Sequence, residues 1–457
     1  MKLLQHPTLA AIVSGERPFW SMVGHASGVF LARFGGAFSN FFFALILARL
    51  LPPDEVGFVL LLSSLAMLIA LFATMNVENV AVRFLLQPIA RGEPGPAAGY
   101  VAFVRKICLR MTPVVMIIYG AALIGREYTG SGLGGDSGLV PREFRAILIA
   151  ALCIPFFTGL RLGNRYGVAL DRVMRSAISW GFLRPFFLML MAAALLLSGT
   201  EGRIDLIAGL ALIACVLAWG LQQWLLKGMM APLAHVRPDM SDKKEWLSTG
   251  LYLSVTVVFL DFFPNIVLFA ASFGLSSGSL GLFAIAVQFI GFLRMGIMAV
   301  NTATAPKISK AISTGHETQV RRLLAQTTLL KIGPTVAVTA LVWLIAPWLV
   351  SLFGSEYGPA AQTLRIIAIL PLASAIFGPS VTLLNVVGHQ RAVFRLSLIS
   401  LAILVVAVPV AGRYYGLNGA AGAAVVMMVI WEGLLWLRTR KLTGYDGSIL
   451  GAIRHWR

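Results

Sequence analysis

The feature that most limits the fold of this chain is a long series of apolar stretches separated by short polar segments. The length of each stretch is near that of a membrane-spanning helix, which needs about 20 residues to cross about 30 Å of hydrocarbon. Backbone groups in lipid need partners within the same structure, which leaves helices and closed barrels. Barrel strands alternate apolar and polar residues, whereas these stretches are continuously apolar. The pattern predicts an all-α polytopic membrane protein with about twelve transmembrane helices. The predicted spans are 28–50, 57–82, 107–125, 144–163, 176–197, 204–226, 247–271, 279–300, 331–352, 364–387, 396–412 and 419–437.

The charge distribution predicts the orientation of these spans. Charged residues make up 12% of the chain, against about a quarter in soluble proteins, yet the net charge is +18. If the N-terminus lies inside, the inner connections and tails hold most lysines and arginines. The outer connections then hold Arg126, Arg142, Arg203 and Arg413. By the positive-inside rule, the N- and C-termini are cytoplasmic. The basic charge is then explained without nucleic acid, and membrane lipids are its default partner.

A weak internal repeat divides the chain into two six-helix lobes. Asn164–Gly167 is followed by two serines, and Asn385–Gly388 is followed by two more at the same spacing. Gly57 and Gly281 stand at matching places near the start of each half. Such parallel repeats are common in transporters, with substrate bound between the halves. The predicted organisation is an N-terminal cytoplasmic segment 1–27, an N-lobe 28–226, a basic linker 227–246, a C-lobe 247–437 and a basic tail 438–457.

Several other segments carry simpler expectations. The apolar stretch Leu9–Val13 is too short for a cleavable signal, so the first span should direct insertion. The connection 306–331 mixes apolar and polar residues and predicts an interfacial amphipathic helix. Cys108, Cys153 and Cys215 lie in apolar spans without close spacing and are interpreted as small buried hydrophobes. The histidines are scattered, so no metal site and no cofactor is expected.

Arginines inside predicted spans are the strongest functional signal, because a buried charge costs roughly 2.5–3.5 kcal/mol on insertion scales. Arg33, Arg184 and Arg294 all fall in the cytoplasmic half of their spans, at a similar depth. They predict a cationic cavity for an anionic head group, since a guanidinium can bind phosphate through two hydrogen bonds. Arg83 is a further candidate. For Arg33 and Arg83, snorkelling to the interface is an equal alternative.

Two carboxylates complete the predicted site. Asp261 lies near the middle of the seventh span and Glu78 near the inner end of the second. Either could balance an arginine or carry a coupling ion or proton, and a purely structural ion pair at Asp261 is an open alternative. The polar side chains of Asn40, Asn265 and Gln288 are predicted to line the same cavity.

The sequence contains no catalytic constellation. It has no carboxylate pair with a histidine, no phosphate-binding glycine loop and no nucleophile spaced with a base. We therefore expect a transporter and not an enzyme.

Five motifs give the chain a family resemblance: Phe41–Phe58 (FFFALILARLLPPDEVGF), Ala305–Ser309 (APKIS), Leu352–Tyr357 (LFGSEY), Leu384–Gly388 (LNVVG) and Tyr415–Ala421 (YGLNGAA). In this order and spacing they cover nearly the whole chain. With them, the sequence resembles the polysaccharide and O-antigen lipid flippases of the multidrug/oligosaccharidyl-lipid/polysaccharide exporter superfamily.

The resemblance implies a cargo and a mechanism. The cargo would be an oligosaccharide on a polyprenyl pyrophosphate, moved across a bacterial inner membrane for O-antigen or exopolysaccharide synthesis. Alternating access around an arginine-lined cavity, coupled to an ion gradient, would move it. A monomer working with a polysaccharide polymerase and a chain-length regulator is implied. The related peptidoglycan-precursor flippases carry cavity arginines on helices 1 and 8, where Arg33 and Arg294 stand. Those relatives have fourteen helices, however, and this chain has room for twelve.

Three alternatives stay open. A drug–cation antiporter of the same superfamily should have an acidic and aromatic site, whereas the charges in these spans favour arginine. A membrane glycan polymerase or ligase usually has large outer loops, and the outer connections here are short. A scaffold without transport would not need three deep arginines.

Overall fold

The computed structural model describes residues 19–126, 141–170, 172–314 and 316–456. Within these ranges every regular element is helical. The long helices are α1 Phe19–Leu50, α2 Pro53–Ile69, α3 Pro94–Arg126, α4 Pro141–Ala169, α5 Val173–Leu197, α6 Ile204–Leu225, α7 Lys243–Asp261 with its continuation Phe263–Ala271, α8 Ser277–Ser313, α9 Glu317–Ser351 and α10 Ala360–Phe377.

One further helix, Gln390–Thr443, contains the last two predicted spans. It breaks at Gly416, whose φ of 61° and ψ of −150° are not helical. The parts before and after this break are called α11 and α12, and the short helix Ile449–Trp456 is α13. The described residues hold ten helices that are long and apolar enough to cross a membrane, or eleven with the bent α7. This count treats Gln390–Thr443 as one helix, although it contains two predicted spans. Every predicted span overlaps helical structure, with a break inside 57–82, 247–271 and 364–387, and the all-α membrane fold is confirmed.

The second predicted span is wrong as a continuous helix. After α2 ends, the chain forms two 3₁₀ turns, Phe72–Thr74 and Val77–Val80, with Met75 and Asn76 between them in left-handed conformations. A π-helical turn, Val82–Leu86, follows. Non-helical backbone at membrane depth is tolerated where protein covers it. Here the hydroxyl of Tyr100 donates to the carbonyl of Val77 over 2.7 Å.

The predicted interfacial helix at 306–331 is also wrong. This stretch forms the end of α8 and the start of α9, joined by a short turn around Thr314. Its apolar residues Ile308, Val320 and Leu324 are fully buried and pack together, with Leu383 completing the cluster. The apolar positions therefore face protein.

The described residues divide into two compact units. Unit 1 combines the chain up to Leu51 with the described parts of Leu62–Ser254, and unit 2 combines Pro52–Leu61 with the described parts of Val255–Arg457. The division therefore falls within α2 and α7. The core of unit 1 includes Tyr100 and Trp246, whose rings meet edge to face at 5.7 Å.

Glycines allow the closest helix contacts in unit 2. A Cβ added to Gly281 would lie 1.7 Å from the carbonyl oxygen of Pro53, and one added to Gly57 would lie 2.6 Å from the backbone nitrogen of Gly281. The two glycines that the repeat places in matching positions thus pack directly against each other. The serines of the repeat are all buried as well: Ser176, Ser179, Ser397 and Ser400.

Candidate functional site

The broken segment after α2 carries a buried ion pair in unit 1. The Arg161 guanidinium on α4 lies 2.5 Å from Oε1 of Glu78, and both side chains are almost completely covered. The guanidinium also lies 5.9 Å from the ring of Trp180. Glu78, predicted as a counter-charge or ion carrier, is therefore placed as the counter-charge of an arginine that the sequence reasoning had not selected.

Arg184, one of the predicted cavity arginines, has no acidic side chain among its neighbours in the described residues. It directly follows the π-helical turn Ser179–Leu183 of α5, an irregularity frequent at functional sites. Its guanidinium lies 5.3 Å from the ring of Phe157, and the thiols of Cys153 and Cys215 are its other electrostatic neighbours. Within the described residues, these ring and thiol contacts are its neighbours, and no acidic side chain is among them.

Two of the cysteines that the sequence analysis interprets as small buried hydrophobes lie beside Arg184. Cys153 on α4 and Cys215 on α6 are both buried, as predicted. The Cys153 thiol lies 3.8 Å from the carbonyl oxygen of Ile149, and the two thiols are electrostatic neighbours of each other and of Arg184, which the sequence spacing did not indicate. Both are reduced.

The other predicted residues of unit 1 lie apart from this group. Arg33 is exposed on α1 and Asn40 is partly covered on the same helix. Arg83 is exposed and pairs with Glu245 over 2.7 Å, near the start of α7. An exposed pair of this kind is worth about 0–1 kcal/mol, so Arg83 has a satisfactory structural role at the surface.

Asp261 and Arg294 come together in unit 2. Asp261 is the last residue of the first segment of α7, which bends by 74° before Phe263. Arg294 on α8 donates from Nη1 to the carbonyl oxygen of Leu260 over 2.9 Å and interacts electrostatically with Asp261. A cation near a helix C-terminus satisfies free carbonyls and complements the helix dipole. Arg294 therefore supports the bend itself.

A second set of buried charges extends this group. Glu432 on α12 accepts a hydrogen bond from the hydroxyl of Ser374 on α10 and interacts electrostatically with Lys331 on α9 and with Arg294. Lys331 is 2% exposed and Glu432 is 4% exposed. Four helices, α8 to α10 and α12, thus contribute to one charge cluster. Asn265 and Gln288, the predicted polar lining, are partly covered in the same unit.

The sequence reasoning missed Arg161, Lys331 and Glu432. Glu432 stands well inside the last predicted span, so the rule that selected the three arginines would have found it. Arg161 and Lys331 stand at the ends of their predicted spans, where charge is common and carries little signal. Their burial follows from helices that extend beyond those spans: α4 continues to Ala169, and α9 begins at Glu317.

Comparison with known proteins places the fold. The family model described as MatE matches residues 253–411. No curated protein sequence matches the chain significantly.

Solved transporter structures align over most of the chain. An inward-facing multidrug-resistance MATE transporter of the MOP superfamily has a TM-score of 0.73 at 14% identity, covering 89% of this chain and 94% of that chain. The lipid II flippase MurJ, in an inward closed conformation, has a TM-score of 0.69 at 13% identity, covering 95% and 91%. A MOP superfamily transporter from Pyrococcus furiosus, described as having a binding pocket of reverse polarity, has a TM-score of 0.60 at 14% identity, covering 96% and 97%.

At such identities the likeness concerns the fold. The aligned solved structures and the MatE match over residues 253–411 agree on one fold. The chain is therefore a multi-pass membrane protein with the fold of the MOP superfamily transporters.

Proposed function

We propose that this protein is a flippase that moves an anionic, polyprenyl-pyrophosphate-linked oligosaccharide across the bacterial inner membrane by alternating access. The observation that carries the proposal is Arg184. An arginine that stays charged within a span, without an anionic partner in the described residues, needs a function to offset its cost. An anionic cargo would supply the missing partner.

The pairing of the other buried charges supports an anionic cargo. Glu78 is neutralised by Arg161, and Glu432 faces Lys331 and Arg294. The carboxylates therefore already have basic partners inside the protein. Arg184 has none, and Arg33 is exposed on α1. Among the predicted site residues of unit 1, the charged side chains left to bind a ligand are therefore basic.

The chemistry of a pyrophosphate-linked sugar suits such a site. A guanidinium can bind two phosphate oxygens at once and remains charged when water is removed. Asn40, Asn265 and Gln288 would offer hydrogen bonds to sugar hydroxyls, while the isoprenoid chain stays in lipid. The basic inner connections favour loading from the cytoplasmic side. A polysaccharide polymerase and a chain-length regulator would act on the flipped product.

A cation-coupled drug antiporter is the second candidate. It is favoured by the likeness to multidrug MATE transporters and by Asp261, which is an exposed carboxylate at the α7 bend. In this case Asp261 would bind the cationic drug or the coupling proton. The two candidates differ in the charge of the cargo, so transport can separate them.

Reconstitution into liposomes tests the proposal. The protein would be offered a fluorescent lipid-linked oligosaccharide with a pyrophosphate, the same sugar linked to the polyprenol without phosphate, and a cationic dye. We expect flipping of the pyrophosphate lipid alone, measured by bleaching of the label with a membrane-impermeant reductant. Transport of the dye without flipping of the anionic lipid would favour the antiporter.

A further inference from the structure

The C-terminal helix α13 is held in a fixed position beside the end of the last spanning helix. α12 ends at Thr443, and Gly444 takes the left-handed conformation that closes it. The carbonyl oxygen of Gly447 then accepts a hydrogen bond of 2.6 Å from the hydroxyl of Thr328 on α9. The same carbonyl would lie 2.0 Å from a Cβ added to Gly378, at the break after α10. The turn before α13 is therefore packed against two membrane helices.

Local hydrogen bonds set the start of α13. The Ser448 hydroxyl accepts from the backbone nitrogen of Gly451 over 3.3 Å, the pattern of a helix N-cap. Asp446 accepts from the Ser448 hydroxyl at 2.6 Å and from the Trp436 indole at 2.9 Å. Burial raises the pKa of Asp446, but these hydrogen bonds and Arg440 outweigh it and hold the pKa below its usual value. The carboxylate anchor is thus ionised at neutral pH.

The two sides of α13 differ sharply in their surroundings. Gly451 and Ala452 are buried against the protein, and α13 packs mainly along α9. Leu450 and Ile453 are 57% and 54% exposed, and the neighbouring Arg454 is exposed as well. A helix of eight residues held at one place thus presents large apolar side chains and a cation outward. In water, that face would be unfavourable.

We propose that α13 is an interfacial helix that inserts Leu450 and Ile453 among the lipids of one leaflet and binds anionic phospholipid headgroups through Arg454. An amphipathic helix with an apolar face and basic residues is the type that lies in the plane of the membrane interface. Because α13 directly follows the spanning helix α12, it lies at the level of the membrane interface, where an amphipathic helix binds.

The basic residues around α13 favour lipid as the occupant. The exposed end of α12 carries Arg438, Arg440 and Lys441 close to this helix in sequence. Clusters of arginine and lysine immediately next to a spanning helix bind anionic headgroups. Large apolar side chains are also exposed on α9, the helix against which α13 packs: Leu330 is 59% exposed. An acidic protein partner would match the charge alone, whereas an anionic bilayer matches both the basic cluster beside a spanning helix and the exposed apolar side chains of α13.

The proposal is tested on the full-length protein in lipid nanodiscs. Single cysteines would be introduced by Leu450→Cys, by Ile453→Cys and, as a control on the exposed start of α9, by Thr318→Cys. The native Cys108, Cys153 and Cys215 would be replaced by alanine, and each new cysteine would carry an environment-sensitive fluorophore. Quenching would be compared between spin-labelled phospholipid and aqueous iodide, in phosphatidylglycerol and in phosphatidylcholine.

We expect lipid-borne spin labels to quench the probes at 450 and 453 at least about three times more than the probe at 318, and iodide to show the opposite order. Quenching by lipid should be stronger in phosphatidylglycerol, and Arg454→Ala should reduce that difference. Iodide access at 450 and 453 equal to that at 318 would overturn the proposal. Protection from both quenchers would also overturn it, because a protein would then cover the face. Equal insertion in both lipids would overturn the assignment of an anionic headgroup.

Discussion

The guanidinium of Arg294 donates a hydrogen bond of 2.9 Å to the carbonyl oxygen of Leu260, the residue before the bend in α7. The bend leaves the last carbonyls of the first segment without helical partners. Arg294 supplies a donor there and also compensates Asp261. Its position on α8 therefore has a structural explanation before any cargo is considered.

This relationship predicts a difference between lysine and alanine at position 294. Arg294→Lys should stay within a few degrees of the wild-type unfolding midpoint, because an ammonium can still donate to a carbonyl and face Asp261. Arg294→Ala leaves a buried acceptor without a partner and should lose about 1–3 kcal/mol. Thermal unfolding in detergent measures both. Equal loss in the two variants would contradict the role assigned to the hydrogen bond.

The contact between Gly57 and Gly281 predicts strict size limits in unit 2. Gly281→Ala should destabilise the protein by about 1–3 kcal/mol, since the new methyl group would overlap the Pro53 carbonyl. Gly278→Ala is the matched control, because it lies on the same helix and has nothing within 4 Å of the added Cβ. The yield and unfolding midpoint of the purified variants are the measurements. Similar midpoints for the two alanine variants would refute the close packing.

Because Glu78 and Arg161 form a buried ion pair, we expect the effects of substituting them on the free energy of unfolding to be non-additive. Glu78→Gln or Arg161→Gln alone leaves a buried charge without its partner and should cost about 3–5 kcal/mol. The double variant removes both charges and should recover part of the loss. Arg83→Gln, which breaks only an exposed pair with Glu245, should change stability by at most about 1 kcal/mol. Strictly additive losses in unfolding experiments would show that the two side chains do not interact.

The charge cluster at Glu432 predicts a similar cycle in unit 2. Glu432→Gln leaves Lys331 buried among apolar helices, so this variant should fold in lower yield than Lys331→Met combined with Glu432→Gln. Ser374→Ala removes only a hydrogen-bond donor and should have the smallest effect. Membrane-fraction abundance and monodispersity report the outcome. If Glu432→Gln alone were as stable as wild type, Lys331 would not depend on this carboxylate.

The membrane fold could be predicted because lipid imposes one rule on every span. About 20 apolar residues in a row can be recognised without any tertiary knowledge, and each predicted span overlaps helical structure. The irregular backbone from Phe72 to Leu86 could not be predicted in this way. Its apolar composition fits a helix equally well, and tertiary contacts such as Tyr100 with Val77 replace the lost helical bonds.

The site was predictable only in part. A charge within an apolar run is conspicuous, so the sequence singles out Arg184, Arg294 and Asp261 as candidates. Which charges pair depends on how helices pack, and sequence distance gives no guide: Arg161 and Glu78 are separated by 83 positions. The sequence therefore identified Arg184 and Arg294 as alike, whereas their surroundings differ. Arg294 is engaged at the α7 bend, and Arg184 has no anionic partner among the described residues.

The most direct test of the account compares charged and uncharged cargo on variants of Arg184. Flipping of the pyrophosphate-linked oligosaccharide and of its phosphate-free analogue would be measured in liposomes for wild type, Arg184→Ala and Arg184→Lys. Arg203→Ala is the matched control, because this arginine is exposed and pairs with Asp205 at the start of α6. All variants should insert at equal abundance.

Truncating one partner of a desolvated charge contact typically costs about 2–5 kcal/mol. We therefore predict that Arg184→Ala slows flipping of the pyrophosphate lipid by about 30-fold or more, that Arg184→Lys restores only part of the rate because a bidentate contact is lost, and that Arg203→Ala behaves as wild type. Wild-type flipping of the pyrophosphate lipid by Arg184→Ala would contradict the account.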